Sequence, residues 1–202
     1  LKFITIISIV FIVLVTYLSL VGIETEKFNN QIKDRIVKAN KNLDIKLKKI
    51  KLTLDPLNLK VNAKTVGAII FYSKRPLSLE YIKTQVSLLS LIKNKIISSN
   101  IEIATRSILL KDLVRFIRAS NNIPQLFFLE KIINNGHIIV KARLNLDEFG
   151  NIKEDYEING LLNDGGINFL KKNKFENINF KFNVRKDNYK FEEIKFTNNK
   201  IN

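Results

Sequence analysis

Residues Phe3 to Ile23 form an uncharged run, FITIISIVFIVLVTYLSLVGI. As a helix rising about 1.5 Å per residue, it spans roughly 30 Å of hydrocarbon. A cleaved signal peptide has a shorter apolar region, about 7–15 residues, and small residues at its cleavage site. Leu20-Val21-Gly22-Ile23-Glu24 offers no such pair, so the run predicts an uncleaved membrane anchor over residues 1–23. A buried soluble helix seldom lacks a polar face over so many turns. Phe28, Ile32 and Ile36 then recur at a spacing of four among Glu, Lys, Asp and Asn, predicting an amphipathic helix over 24–42 that continues the anchor.

From Leu43 the period changes to two. Leu43, Ile45 and Leu47 share a face, the pattern slips at Lys48-Lys49 as a β-bulge would make it, and Ile50, Leu52 and Leu54 resume. Asp55-Pro56 signals a turn, after which Leu57, Leu59, Val61 and Ala63 alternate with Asn and Lys as a hairpin partner. Further extended segments are predicted at Gly67–Tyr72 and Leu79–Val86, separated by Lys74-Arg75-Pro76, and at Ile96–Thr105 after a helical turn over Ser87–Ile92. Leu110, Leu113, Val114 and Ile117 fall at i, i+3, i+4, i+7 with basic residues opposite, a surface helix. A second short helix is expected over Pro124–Asn134, punctuated by Asn135-Gly136. Ile138, Val140, Ala142, Leu144 and Leu146 then alternate with Ile139, Lys141, Arg143 and Asn145. Asp147-Glu-Phe-Gly150 turns into a strand over Ile152–Leu162, and Asp164-Gly165-Gly166 reads as the next hairpin turn. Ile178, Phe180, Phe182 and Val184 alternate in turn, and Asp187-Asn188 leads into Tyr189–Thr197.

These patterns place the chain in the α+β class: a single N-terminal transmembrane helix, a helical linker, and over 43–202 a mainly antiparallel, curved β-sheet of eight or nine strands with a few short helices. There is no βαβ rhythm, which disfavours doubly wound nucleotide folds. Most strands are apolar on one face only, and that face needs a helix, another sheet or an apolar ligand against it.

Composition removes most chemistry. Among 202 residues there is no Cys and one His, so thiolate catalysis, disulfides and Cys-based metal sites are excluded. No glycine-rich phosphate loop, H-E-x-x-H or G-x-S-x-G occurs. His137 has no second ligand beside it, and Asp147, Glu148, Glu154, Asp155 and Glu157 lack calcium-loop grammar and read as a solvated hairpin end. No catalytic residue, metal or cofactor is assigned, and the chain is not expected to be an enzyme. The absence of Met means either an unusual start codon or a piece of something longer.

The net charge of +15 favours anionic partners. Lys46, Lys48, Lys49 and Lys51 come nearest to a nucleic-acid patch, but Lys is spread along the outward positions of nearly every strand, with the Asn and Ile that an AT-rich coding bias also brings. No nucleic-acid partner is therefore expected; a solvated basic face, then attraction to anionic lipid, accounts for the excess. Charge on both sides of the anchor leaves topology open.

The order of features resembles the AsmA-like family, anchored bacterial relatives of TamB and YhdP. The resemblance rests on the single amino-terminal span, the helix after it, the strand-turn-strand Leu43–Lys64, and the stretches Pro76–Ile92 and Ile101–Leu110. It implies an inner-membrane anchor with the bulk of the chain in the periplasm, and phospholipid, the membrane and other envelope proteins as partners. It also implies a lipid-holding β-groove serving phospholipid traffic between the inner and outer membranes or envelope integrity. The chain is short for the family, which implies an amino-terminal portion. On this reading Leu57, Leu59, Val61, Ile138, Val140, Leu144, Leu146, Ile178, Phe180 and Phe182 line the groove. Two other readings compete: a scaffold whose sheet is sealed by its own helices, and a tethered binder of an anionic polymer.

Overall fold

A computed structural model describes residues 2–89, 98–120, 123–147, 153–169 and 173–200. An apolar helix, α1 (Lys2–Leu20), precedes twelve strands that form one antiparallel sheet. The strands are β1 (Ile23–Thr25), β2 (Leu43–Lys46), β3 (Ile50–Asp55), β4 (Lys60–Val66), β5 (Ile69–Tyr72), β6 (Arg75–Ser87), β7 (Ser98–Thr105), β8 (Ile108–Leu109), β9 (Ile133–Asn145), β10 (Glu157–Phe169), β11 (Asn173–Arg185) and β12 (Asn188–Lys200). The main path runs β1-β3-β4-β6-β7-β9-β10-β11-β12, so β12 is an edge. β2 pairs with β5, and β5 with β6, alongside that path. Among the described residues, three further helices are α2 (Asn29–Ala39), α3 (Leu110–Ser120) and α4 (Pro124–Ile132).

The linker departs from the sequence expectation. Gly22 takes φ +74°, ends α1, and turns Ile23–Thr25 onto the free edge of β3. The helix predicted over 24–42 therefore does not continue α1; it starts at Asn29, whose side-chain amide donates to the Lys48 carbonyl at 3.0 Å. The slip at Lys48-Lys49 does break the extended segment, into β2 against β5 and β3 against β4. β4 begins at Lys60, so Leu57 and Leu59 lie in the preceding turn, where Asn58 N donates to Asp55 Oδ1 at 3.1 Å. The β5–β6 turn is Ser73-Lys74, both at positive φ as a type I′ hairpin needs. Arg75 and Pro76 belong to β6 at a stretch that β7 does not reach, where a missing N–H costs no ladder bond.

α3 and α4 form where amphipathic spacing and Pro124 at the first turn predict them. Glu130 on α4 holds Arg115 and Arg118 of α3 at 2.9 and 2.8 Å. α3 packs against β6 and β9. The closed core lies at that end of the sheet and includes Ile45, Ala68, Leu79, Val114, Ile133, Ile138 and Leu162.

Two turn signals proved to be something else. Asn135-Gly136 lies inside β9 and Asp164-Gly165-Gly166 inside β10, at steps in the pairing register. β10 accordingly runs on to Phe169 instead of stopping at Leu162, and it begins at Glu157. Asp164 has φ +51°; the Asn135 amide donates to its carbonyl at 2.8 Å, and its N–H donates to Asn179 Oδ1 at 3.0 Å. Side chains from both neighbouring strands thus satisfy the backbone groups that the bulge takes out of the ladder. Asn177 in β11 and Glu193 in β12 repeat the left-handed conformation, at φ +52° and +54°, beside register steps of their own. A line of bulges therefore crosses the last four strands. The turn predicted at Asp147–Gly150 beyond its first residue, the first residue of the strand predicted over Ile152–Leu162, and the Ser87–Ile92 helix beyond Leu89 lie outside the described residues.

Candidate functional site

Directly opposed residues of paired strands share a face of the sheet, so register shows what each face carries. One row runs Thr25, Ile50, Thr65, Ile82, Ile103, Ala142, Ile158, Val184, Tyr189 across all nine strands of the main path. The next on one side is Ile23, Leu52, Ala63, Thr84, Ile101, Leu144. On the other side Val140, Gly160, Phe182 and Phe191 form a row, followed by Ile138, Leu162 and Phe180. The result is one nearly uncharged surface across the whole sheet.

Of the ten residues expected to line a groove, Val61, Ile138, Val140, Leu144, Phe180 and Phe182 stand on this surface by register. Leu146 follows Leu144 at the end of β9, half-buried. Ile178 joins from across the bulge: it pairs with Gly165, whose added Cβ would lie 3.1 Å from Ile178 Cβ and 3.0 Å from Leu162 Cδ2. Leu57 and Leu59 are not on it; they occupy the β3–β4 turn. Residues the sequence reading did not single out, Leu52, Ile82, Ile101, Ile103, Ile158 and Phe191, complete the surface. Each alternates visibly in its own segment, but only the register shows which phase shares a face with Val140.

Among the described residues this surface is closed in places and half-open over the rest. Ile138 and Leu162 are buried at the α3 end and Ile50, Thr65 and Val86 are buried elsewhere on it, whereas Leu52, Ile82, Ile103, Val140, Ile158, Phe180 and Phe182 are half-buried. At the β12 edge Phe191 is 53% exposed. Of the described helices, α1 packs mainly on β3, α2 on β2, α3 on β5, β6, β8 and β9, and α4 on β9 and β10. Phe182 lies over Gly160, where an added Cβ would come within 2.1 Å of its ring, and Phe180 stacks edge-on against Phe191 at 5.7 Å. Aromatic rings thus pave the β10–β12 part.

The opposite face is charged, with ion pairs centred on Glu102 and Glu157. A row runs Lys51, Lys64, Lys83, Glu102, Arg143, Glu157. Glu102 accepts from the Tyr81 hydroxyl at 2.7 Å and lies 3.3 Å from Lys141, 3.5 Å from Arg143 and 3.6 Å from Lys83. Burial raises its carboxyl, but the hydrogen bonds from Tyr81 and Lys141 and the charges of Lys141 and Lys83 outweigh that and bring its pKa down to about 2. A depressed carboxylate stabilises the fold fully above its ordinary range, and that contribution fades as pH falls through the folded value. Wild-type stability is therefore expected to fall between pH 4.5 and about 2. In Glu102→Gln the fall over that window is shallower, checked by urea midpoints at stepped pH; equal slopes in the two proteins would refute the assignment.

A cleft of about 650 Å³ lies on this face, lined by Lys141, Lys181, Arg185 and Lys190 among others. Their carboxylate partners are Glu102, Glu193, Glu157 and Glu192 in that order. Of the acidic cluster, Asp155 accepts from the Asn145 amide at 2.9 Å, Glu157 holds Arg185 at 2.9 Å, and Glu154 pairs with Lys186. Among the described residues no three His, Cys, Asp or Glu side chains converge as a metal site would require. α1 is the one described helix long and apolar enough to cross a membrane, and by length and composition it is either an anchor or a signal sequence. No protein-family model matches the chain, and no curated protein matches it.

Proposed function

We propose that this protein holds phospholipid acyl chains on the open apolar face of its sheet, as a membrane-anchored component of the cell envelope. The observation that carries the reading is the apolar surface continuous from β1 to β12, with half-buried Leu52, Ile82, Ile103, Val140, Ile158, Phe180 and Phe182 and an exposed Phe191 at its edge. A soluble sheet normally covers such a face. Each methylene kept from water stabilises a bound chain by about 0.8 kcal/mol, without directional contacts that would fix its position. Sliding along the face therefore meets small barriers while head groups stay in water.

In this proposal α1 is an uncleaved anchor in the inner membrane and the sheet lies in the periplasm, where phospholipid passes between the two membranes as in the AsmA-like family the sequence resembles. No catalytic group takes part.

The test is native mass spectrometry of the full chain after gentle detergent extraction, with Phe191→Asp as the variant. Phe191 is already 53% exposed, so its loss disturbs folding little. Phospholipid adducts are expected on the wild type. The variant should show about tenfold less, which corresponds to roughly 1.4 kcal/mol for a carboxylate set at the margin of the bound hydrocarbon. A wild type without adducts, or equal occupancy in a variant with the wild-type unfolding midpoint, would overturn the proposal.

A further inference from the structure

The turn between β3 and β4 puts two leucines where polar residues are usual. Leu57 is 94% exposed and Leu59 is 55% exposed. Leu59 also takes φ +50°, a conformation that glycine or asparagine would adopt with less strain. The turn is polar only toward itself: Asn58 donates to Asp55 through its backbone at 3.1 Å and its side chain at 2.9 Å. Pro56 has no N–H, and the Leu59 carbonyl accepts from Leu88 N at 2.9 Å, which brings exposed Leu89 alongside.

The position of α1 gives this cluster an occupant. Ile23 pairs with Leu52, and Gly22 stands one step nearer the turn, where an added Cβ would meet Thr53 Cγ2 at 2.7 Å. α1 thus approaches β3 from its Pro56–Leu59 end. It packs on β3, and Val15, Leu18 and Ser19 are more buried than the rest of the helix. A helix of 19 residues is about 28 Å long, so crossing roughly 30 Å of hydrocarbon takes all of it, including the last turns beside β3. A crossing that uses the whole helix carries the neighbouring turn to the membrane surface.

We propose that the β3–β4 turn is a second membrane contact, with Leu57 and Leu59 inserted among the lipids beside α1 and Leu89 at its margin. This rests on α1 being an uncleaved anchor. It is independent of whether the apolar face carries lipid. Two adjacent contacts hold the tilt of the sheet over the bilayer more firmly than α1 alone.

The chain has no Trp, so one introduced indole reports alone. Leu57→Trp, Phe11→Trp and Gln125→Trp are made in the full chain and reconstituted into phosphatidylethanolamine–phosphatidylglycerol vesicles, with or without brominated acyl chains. Leu57→Trp is expected to emit at shorter wavelength than Gln125→Trp, on α4 at the far end of β9. Lipid brominated near the carbonyl end should quench Leu57→Trp, and lipid brominated deep in the chain should quench Phe11→Trp. If Leu57→Trp matches Gln125→Trp while Phe11→Trp is quenched, the turn lies outside the membrane and the inference fails with the anchor intact. If Phe11→Trp is unquenched as well, the anchor reading falls and takes this inference with it. Neither result touches lipid occupancy of the apolar face, which the adduct measurement reads separately.

Discussion

Leu79→Ala should lower the unfolding free energy by about 2–5 kcal/mol, the range for emptying a well-packed leucine site. Leu79 is 1% exposed, the most completely buried large side chain among the described residues. It sits in the small core that α3 closes, and domains of this size are stable by only about 5–15 kcal/mol. Phe191→Ala, on the open part of the same sheet, should cost under about 1 kcal/mol, because a half-exposed ring gives up little on truncation. Guanidinium unfolding in detergent, followed by far-ultraviolet circular dichroism, measures both. The contrast separates a face that is open for use from a conventional interior. Equal losses at the two sites would mean that the aromatic end is as tightly closed as the α3 end, and a sealed scaffold would then be the better account.

The second large effect is expected at Gly22. Its φ of +74° favours glycine, and any Cβ there would fall 2.3 Å from the Leu52 carbonyl oxygen, a backbone atom that cannot step aside. The N–H groups of Val21 and Gly22 both donate to the Tyr17 carbonyl, at 2.8 and 3.1 Å, so this residue also ends the helix. In Gly22→Val, strain of about 1–3 kcal/mol adds to the overlap. β1 should detach from β3, and amide exchange at Ile23–Thr25 should accelerate by about a hundredfold, which corresponds to roughly 3 kcal/mol. Unchanged protection there would show that α1 reaches the sheet by some other path.

The sequence carried the apolar helix, the antiparallel class, α3 and the alternating halves of β9 and β11, because each depends on a period set by nearby residues. It misjudged places where one local signal serves two purposes. Asp164-Gly165-Gly166 has the composition of a hairpin turn, yet left-handed backbone also makes a bulge, and only Asn135 and Asn179 from the adjacent strands decide between them. The 24–42 segment looked helical from Phe28, Ile32 and Ile36, but the free edge of β3 captured its first residues. For the candidate site, alternation identified which residues could share a face within each strand. Leu57 and Leu59 were misplaced because their phase matches Val61, and nothing local marks the chain as still turning. Strand order, which joins Ile82 to Ile158 through three successive pairings, is a long-range property that no window contains.

The bulges at Asp164, Asn177 and Glu193 tie the last strands together in a way that bears on how this chain tolerates change. Side chains in a strand alternate, so losing one residue from Asn177's bend would send Phe175 and its neighbours to the charged side while Phe180 and Phe182 stayed put. Repair would require a matching deletion in each adjoining strand. Length variation is therefore harmless at the hairpin tips and forbidden along this seam, unless all the strands it crosses shorten together.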